Sequence, residues 1–318
     1  MRRGSAIAVS AAVALLGIGT SAAVGPATPD TKLLARYSPT LILHPDELLA
    51  PVPVDGFLVD SDLLARATDG TWAPTNVPLV SAGANSRLDQ RLCKAIEGPP
   101  AEPCYAAAED AHAALPTAYG AVFRRGNRIV LQYWLWYPVN VYSPTVPAGE
   151  FWVTHEGDWE AVTVLLDLDE RPLLVGLSSH CGGLKRAWRD APRRGSHPVA
   201  YVAKGSHANY FTAGTQRLSA LGEKLVQKCF PSEFLAIYKA YGVPLVDHTG
   251  AGRPVRPRVV RVTAVAPGWM RFGGTWGEDQ YAGFPDVPPF RFGAGPEGPA
   301  FHAQWRQPVT VPLAWPRG

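Results

Sequence analysis

The chain has 318 residues, of which 47% are hydrophobic and only 18% charged, with a formal net charge of +3. That is enough apolar material for one large core or two small ones. The near-neutral balance, with the basic stretch from Arg253 to Arg261 broken by Pro and Val, argues against a nucleic-acid partner. The 31 glycines, 31 prolines, 10 tryptophans and 11 tyrosines describe many turns joining aromatic-rich strands, as in a β-rich exported protein.

Residues 1–23 have the layout of an export signal. Arg2 and Arg3 form the positive end, Ala6 to Ile18 the apolar run, and Thr20-Ser21-Ala22-Ala23 the small residues a signal peptidase needs. The run is too short for a membrane anchor, and no other segment is apolar for long enough to span a bilayer. The expected location is extracellular, with 24–318 as a single domain. Four cysteines follow the signal: Cys93, Cys104, Cys181 and Cys229. An even number in an exported chain predicts two disulfides, with three pairings open. Cys93 with Cys104 would close a short Pro-rich loop and leave Cys181 for Cys229. The alternative is buried free thiols, and without a C-x-x-C pair a zinc cluster is disfavoured.

In chain order, Thr40 to Leu43 reads as a strand ending in His44-Pro45-Asp46-Glu47. That cluster is either a second ligand group or a turn whose acid caps the next segment. Residues from about 62 to 118 read as an insertion stapled by the first cysteine pair. It carries a short helix over Asp62–Ala67, with Ser61 as N-cap, and an Ala-rich helix over Glu102–Ala114. Arg128 to Tyr137 is apolar on both faces, as a central strand is, and stops at Pro138-Val139-Asn140. A loop to about Val153 then leads to a second strand, which pairs antiparallel with the first and brings Asn140 near His155 and Asp158. Strands over Pro172–Ser178 and Pro198–Lys204 end in small polar residues with His180 and His207. Such ends gather at the rim of a sandwich. Gln216 to Tyr241 predicts two short helices broken at Pro231, and Val259 to Val265 another strand. The Gly- and Pro-rich tail, with Trp276 and Trp305, is expected to pack on the sheet. The fold class is mainly β: an antiparallel β-sandwich with a few short peripheral helices.

The stretch that carries chemistry is His155-Glu156-Gly157-Asp158-Trp159-Glu160. Alternation along a strand puts Asp158 and Glu160 on one face, roughly 7 Å apart. Two acids that close repel unless a cation or a proton lies between them. His155, at the turn before the strand, would reach the same point, because Gly157 lets the backbone bend. The expected use is a hard-cation site for calcium or magnesium at the sheet rim, held by His155, Asp158, Glu160 and Asn140. Glu156, Trp159, His180 and His207 are candidates for its surroundings or for substrate contact, although Trp159 is expected to be core. The alternative use of the same acids is solvated, or capping loop N–H groups.

Several segments resemble the vacuolar protein sorting-associated protein 62 family. They are Tyr37-Ser38-Pro39, His44-Pro45-Asp46-Glu47, the run from Tyr133 to Asn140, the His155–Glu160 motif, Val202 to Ala208, Trp276-Gly277 and Gly295-Pro296. They occur in family order from about 33 to 308. A more distant resemblance is to the necrosis- and ethylene-inducing protein-like cytolysins. These are β-sandwich proteins that hold a divalent cation and act on plant plasma membranes through sphingolipid sugars. By that resemblance His155, Asp158 and Glu160 match their cation ligands, Asn140 stands where they have Asp, and His180 matches a later His. The chain departs from them in carrying Asn140, in His155-Glu156-Gly157 for their His-Arg-His, and in a longer segment from 140 to 155. The resemblance implies a membrane-lipid or glycan ligand. The residues alone leave open a metal-dependent hydrolase with His180 or His207 as acid or base, and a scaffold without metal. No catalytic residue is assigned: nucleophile elbow, P-loop and zincin motifs are all missing from the sequence.

Overall fold

Two 15-residue strands, Arg128–Tyr142 and Trp152–Leu166, form the spine of the molecule. A computed structural model describes residues 28–143, 145–146, 149–230, 232–242, 244–284 and 288–318; the expected export signal and Pro231 lie outside the described residues. The two long strands pair antiparallel in one unbroken register, from Ile129 opposite Leu166 to Tyr142 opposite Val153. Both run further than the sequence pattern indicated. The first does not stop at Pro138, and the second begins at Trp152, so His155 lies inside a strand rather than at a turn before it. Pro138 is tolerated because its strand partner is Gly157, where the backbone bends and that rung of the ladder is skipped.

Around this pair the large sheet runs in the order Gly182–Ala187, Pro172–Ser179, Trp152–Leu166, Arg128–Tyr142, Thr117–Arg125, Arg258–Arg261. Gln280–Gly283 pairs with the first residues of Trp152–Leu166. A second sheet is built on His197–Val202 and Thr40–Ile42. The expected mainly β architecture is found, with short helices around it, but the sheets are mixed. Thr40–Ile42, Arg258–Arg261 and Thr275–Trp276 each join a neighbour in parallel.

The core explains the aromatic richness. Trp136, Trp159, Trp269 and Trp276 pack with centroids 4.8–5.7 Å apart. Edge-to-face and offset pairs of this kind contribute about 1 kcal/mol each beyond their buried area. Trp136 and Trp159 lie more than a hundred residues before Trp269 and Trp276, so the tail is part of the core, as its Trp content predicted.

Within 62–118 the Ala-rich helix is present as Ala101–Ala111. The helix expected over Asp62–Ala67 is not. Val54–Asp60 is helical, and Ser61–Arg66 is a strand between Ser86–Gln90 and Trp72–Pro74. Ser61 therefore ends a helix, its hydroxyl donating back to Phe57 O at 2.6 Å, rather than beginning one. Cys93 and Cys104 are disulfide-bonded, with Cα atoms 5.8 Å apart. Cys181 is disulfide-bonded too; the side chain of Cys229, its expected partner, lies outside those described.

Candidate functional site

In an unbroken strand, His155 and Asp158 would point to opposite faces. Gly157 adopts φ +67°, and a Cβ there would stand 2.0 Å from Trp276 O, so only glycine fits. The bend reverses the alternation. His155, Asp158 and Glu160 consequently line one cleft of about 230 Å³, together with Asn140 from the neighbouring strand and His180 from the next hairpin. Tyr142 and Phe230 supply an apolar wall. The sequence-predicted residues Asn140, His155, Asp158, Glu160 and His180 are thus brought together.

Asp158 already has a positive partner. His207 Nδ1 lies 3.1 Å from Asp158 Oδ2, and its Nε2 lies 3.6 Å from Glu47 Oε1. Tyr137 stacks on the His207 ring, with centroids 3.9 Å apart and planes 4° from parallel. Burial pulls the imidazole pKa down, but the Glu47 and Asp158 carboxylates outweigh it and push His207 up to about 10. Glu47 is in turn held by the Leu49 and Gly205 amides at 2.9 and 2.7 Å. Burial raises its pKa, and the His207 charge with these hydrogen bonds brings it below the usual value. Of the two uses expected of the His44–Glu47 cluster, the contacts are those of the turn: its acid caps the Leu49 amide and faces the His207 imidazole. The turn that carries His207 docks closely: a Cβ on Gly205 would stand 2.0 Å from Val141 O, and Asn140 Nδ2 donates to Ser206 O at 3.2 Å.

Among the described residues no basic nitrogen lies within ion-pair distance of Glu160. It accepts a short hydrogen bond from Ser178 Oγ and lies 3.5 Å from Asn209 Nδ2. Burial first, and then the Asp158 charge, hold its carboxyl well above the usual range. His155 donates from Nδ1 to Gly157 O at 2.6 Å, because a carbonyl only accepts; the proton is thus fixed on Nδ1 and Nε2 keeps its lone pair. Burial lowers the His155 pKa, which favours this neutral form.

On the opposite wall His180 Nε2 meets Asp247 Oδ2 at 2.8 Å. Asp247 is fully buried and also receives Ser206 Oγ at 2.8 Å and Tyr210 OH at 2.5 Å. Burial lowers the His180 pKa, and Asp247 more than restores it, so the imidazole titrates above its ordinary value. Asp247 is the residue at the cleft that the sequence did not single out, and Glu47 was noted only within its own cluster, not as the partner of His207. Neither lies in a motif with its partner: Asp247 is 67 residues from His180, and His207 is separated from Glu47 by 160 positions of chain.

Two candidates lie elsewhere. Glu156 points away from the cleft and is fully buried beneath the stapled insertion. Trp159 borders the cleft but is 5% exposed and packed among the core tryptophans, as expected of a core residue. Among the described residues no group of three His, Cys, Asp or Glu side chains stands placed to hold a metal ion. In donor type, however, the cleft offers the oxygens a hard cation takes, from two acids and a carboxamide, with one imidazole lone pair beside them.

Fold and cleft define a class: a mainly β protein of mixed sheets with an acid–imidazole cleft on its two longest strands. Within that class the chain is similar to the Saccharomyces cerevisiae protein TDA6, 26% identical over 213 residues, which cover 57% of this chain and 43% of that protein. It is also similar to vacuolar protein sorting-associated protein 62 of the same yeast, 25% identical over 231 residues, covering 61% and 45%. The match thus spans less than half the length of these curated relatives. No family model matches the chain. Solved structures with a similar chain course include NLPPya in complex with mannosamine, at 18% identity and TM-score 0.33, covering 59% of this chain and 68% of that one. They also include a toxin fold for microbial attack and plant defense, at 16% identity and TM-score 0.36, covering 74% and 75%. The resemblance to the yeast proteins is found among curated proteins, and that to the cytolysins among solved structures. Among the described residues no helix is long and apolar enough to cross a membrane.

Proposed function

We propose that this is an exported β-sandwich protein that binds a lipid or glycan head group through a divalent cation, calcium or magnesium, in the Asp158–Glu160 cleft. The observation that carries the proposal is the gathering of Asn140, His155, Asp158, Glu160 and His180 in one cleft by the bend at Gly157. Glu160 makes no ion pair among the described residues, and burial with the Asp158 charge disfavours its ionisation in the absence of a cation. Asp158 and Glu160 would hold the ion, with the Asn140 carboxamide and His155 Nε2 beside them. The ion would supply a positive centre for sugar hydroxyl or phosphoryl oxygens. The Tyr142 and Phe230 wall would take the apolar face of the ligand.

The test is calorimetric titration of calcium and of magnesium into chelator-stripped protein, followed by dye release from sphingolipid vesicles with and without chelator. Binding that is lost in Asp158→Ala, and release that requires the ion, support the reading. A wild-type protein that takes up neither ion dismisses it. The buried His180–Asp247 pair favours one further reading, a hydrolase in which His180 is the acid. Turnover of a phosphodiester or ester substrate, abolished by His180→Gln, would establish that reading instead.

A further inference from the structure

Three segments distant in sequence converge on one buried side chain directly behind the cleft. Glu156 Oε1 accepts from the Gln90 amide at 3.0 Å and from Tyr105 OH at 2.8 Å, and its Oε2 accepts from the Glu278 amide at 3.0 Å. Gln90 ends a strand of the insertion, and its own side-chain oxygen receives the Leu92 and Cys93 amides, both at 2.7 Å. Tyr105 follows Cys104, and its hydroxyl also lies 3.2 Å from Cys93 O, across the disulfide. One residue pair earlier on the site strand, Thr154 Oγ1 donates to Ala95 O at 2.6 Å. From the tail, Gly277 packs so closely that a Cβ there would meet Glu156 O at 2.4 Å.

These contacts lie on the face opposite His155 and Asp158, immediately before Gly157. A glycine with φ +67° has no side chain to hold it there, and left free it would also populate the ordinary strand conformation. In that conformation His155 would leave the cleft. What secures the bend is the grip on its two neighbours: Glu156 from the insertion and tail, and Asp158 from His207.

We infer that Glu156 and Tyr105 are positioning residues for the cleft: the disulfide-closed insertion, acting through them, fixes the bend that keeps His155 on the same side as Asp158 and Glu160. The inference rests on the cleft being the binding site, and it assigns the insertion a role in that site rather than in stability alone.

Tyr105→Phe deletes one hydroxyl and keeps the ring, and Tyr133→Phe is its control. Tyr133 donates an equally buried hydrogen bond, 2.9 Å to Leu34 O, on the neighbouring strand and does not line the cleft. Two readouts are taken: calcium affinity by calorimetry, and, in ion-free protein, the His155 ring resonance together with amide exchange at 155–158. Tyr105→Phe is expected to weaken calcium binding about 3- to 10-fold, to shift the His155 resonance and to speed exchange at 155–158. Tyr133→Phe is expected to change none of these while lowering the melting temperature by a similar amount. If both variants behave alike, or if Tyr105→Phe leaves His155 and its neighbours unmoved, the inference fails. If wild type binds no calcium but His155 responds selectively to Tyr105→Phe, the positioning role stands and the cation reading falls.

Discussion

His207 is a charge built into the fold, and removing it has a calculable signature. Its pKa of about 10 stands some 3.5 units above the ordinary value for histidine. At about 1.36 kcal/mol per unit this is a contribution to stability on the order of 5 kcal/mol. The sign follows from the direction of the shift. A raised imidazole contributes fully below pH 6.5 and loses that contribution as pH rises through about 10. His207→Gln leaves Glu47 and Asp158 buried without their partner, and the loss at pH 6.5 is expected to be about 3–5 kcal/mol. Urea denaturation in chelator at intervals from pH 6 to 10 measures both proteins. The wild-type curve is expected to fall towards the variant's as pH rises, and the two to converge near pH 10. The comparison must be a difference between proteins, because Glu109 and Glu156, pushed up to about 7 and about 8, also lower wild-type stability as they ionise. A constant gap between the two proteins across that range would refute the buried imidazolium.

Three further outcomes follow from groups whose surroundings are as well defined. Glu109 is pushed up to about 7, chiefly by burial, so its favourable neutral form is lost as pH rises through 7. Glu109→Gln is expected to match wild type near pH 4.5 and to exceed it by up to about 3 kcal/mol at pH 8; equal melting temperatures at pH 8 would contradict this. The Cys93–Cys104 bridge spans a sequence separation of 11. Chain entropy for so short a loop puts the cost of replacing both cysteines by serine at about 3 kcal/mol, read from urea midpoints under oxidising conditions. Glu160→Gln removes the acid that Asp158 repels. It is expected to raise the melting temperature of the ion-free protein and to erase the increment that calcium gives wild type. The wild-type increment corresponds to about 2.7 kcal/mol at a hundred times the dissociation constant, and if it survives in the variant, Glu160 is not a ligand.

The parts of the architecture governed by local pattern were readable in advance. The apolar run from Ile129 to Tyr137, the β-branched stretch after Glu160, and the polar strand ends at His180 and His207 mark elements that the structure contains. The antiparallel pairing of the two long strands placed Asn140 opposite His155, because strand register propagates along the whole ladder. Boundaries were missed where a residue that usually interrupts a strand is accommodated by its partner. Pro138 looked like an end, but its place opposite the bent Gly157 lets the strand continue to Tyr142. Ser61 looked like a helix start because its hydroxyl suits a cap, yet Leu63 and Leu64 take strand partners that are distant in sequence.

The cleft shows where such reasoning must stop. Side-chain alternation alone assigns Glu156 to the face of Asp158 and Glu160 and excludes His155; the structure has the reverse, and a single backbone angle at Gly157 decides it. Beside that angle Trp276 O, the Glu278 amide and Tyr105 arrive from segments 51 to 122 residues away. The positive charge required between neighbouring acids is partly internal for the same reason. His207 reaches Asp158 because Gly205 packs on Val141 and Glu47 waits behind it. Local spacing identifies the acids, therefore, but their charge balance belongs to the assembled sheets. Of the two acids, Asp158 pairs with a histidine and Glu160, among the described residues, does not, so a cation held by both would share Asp158 with His207 and meet Glu160 alone.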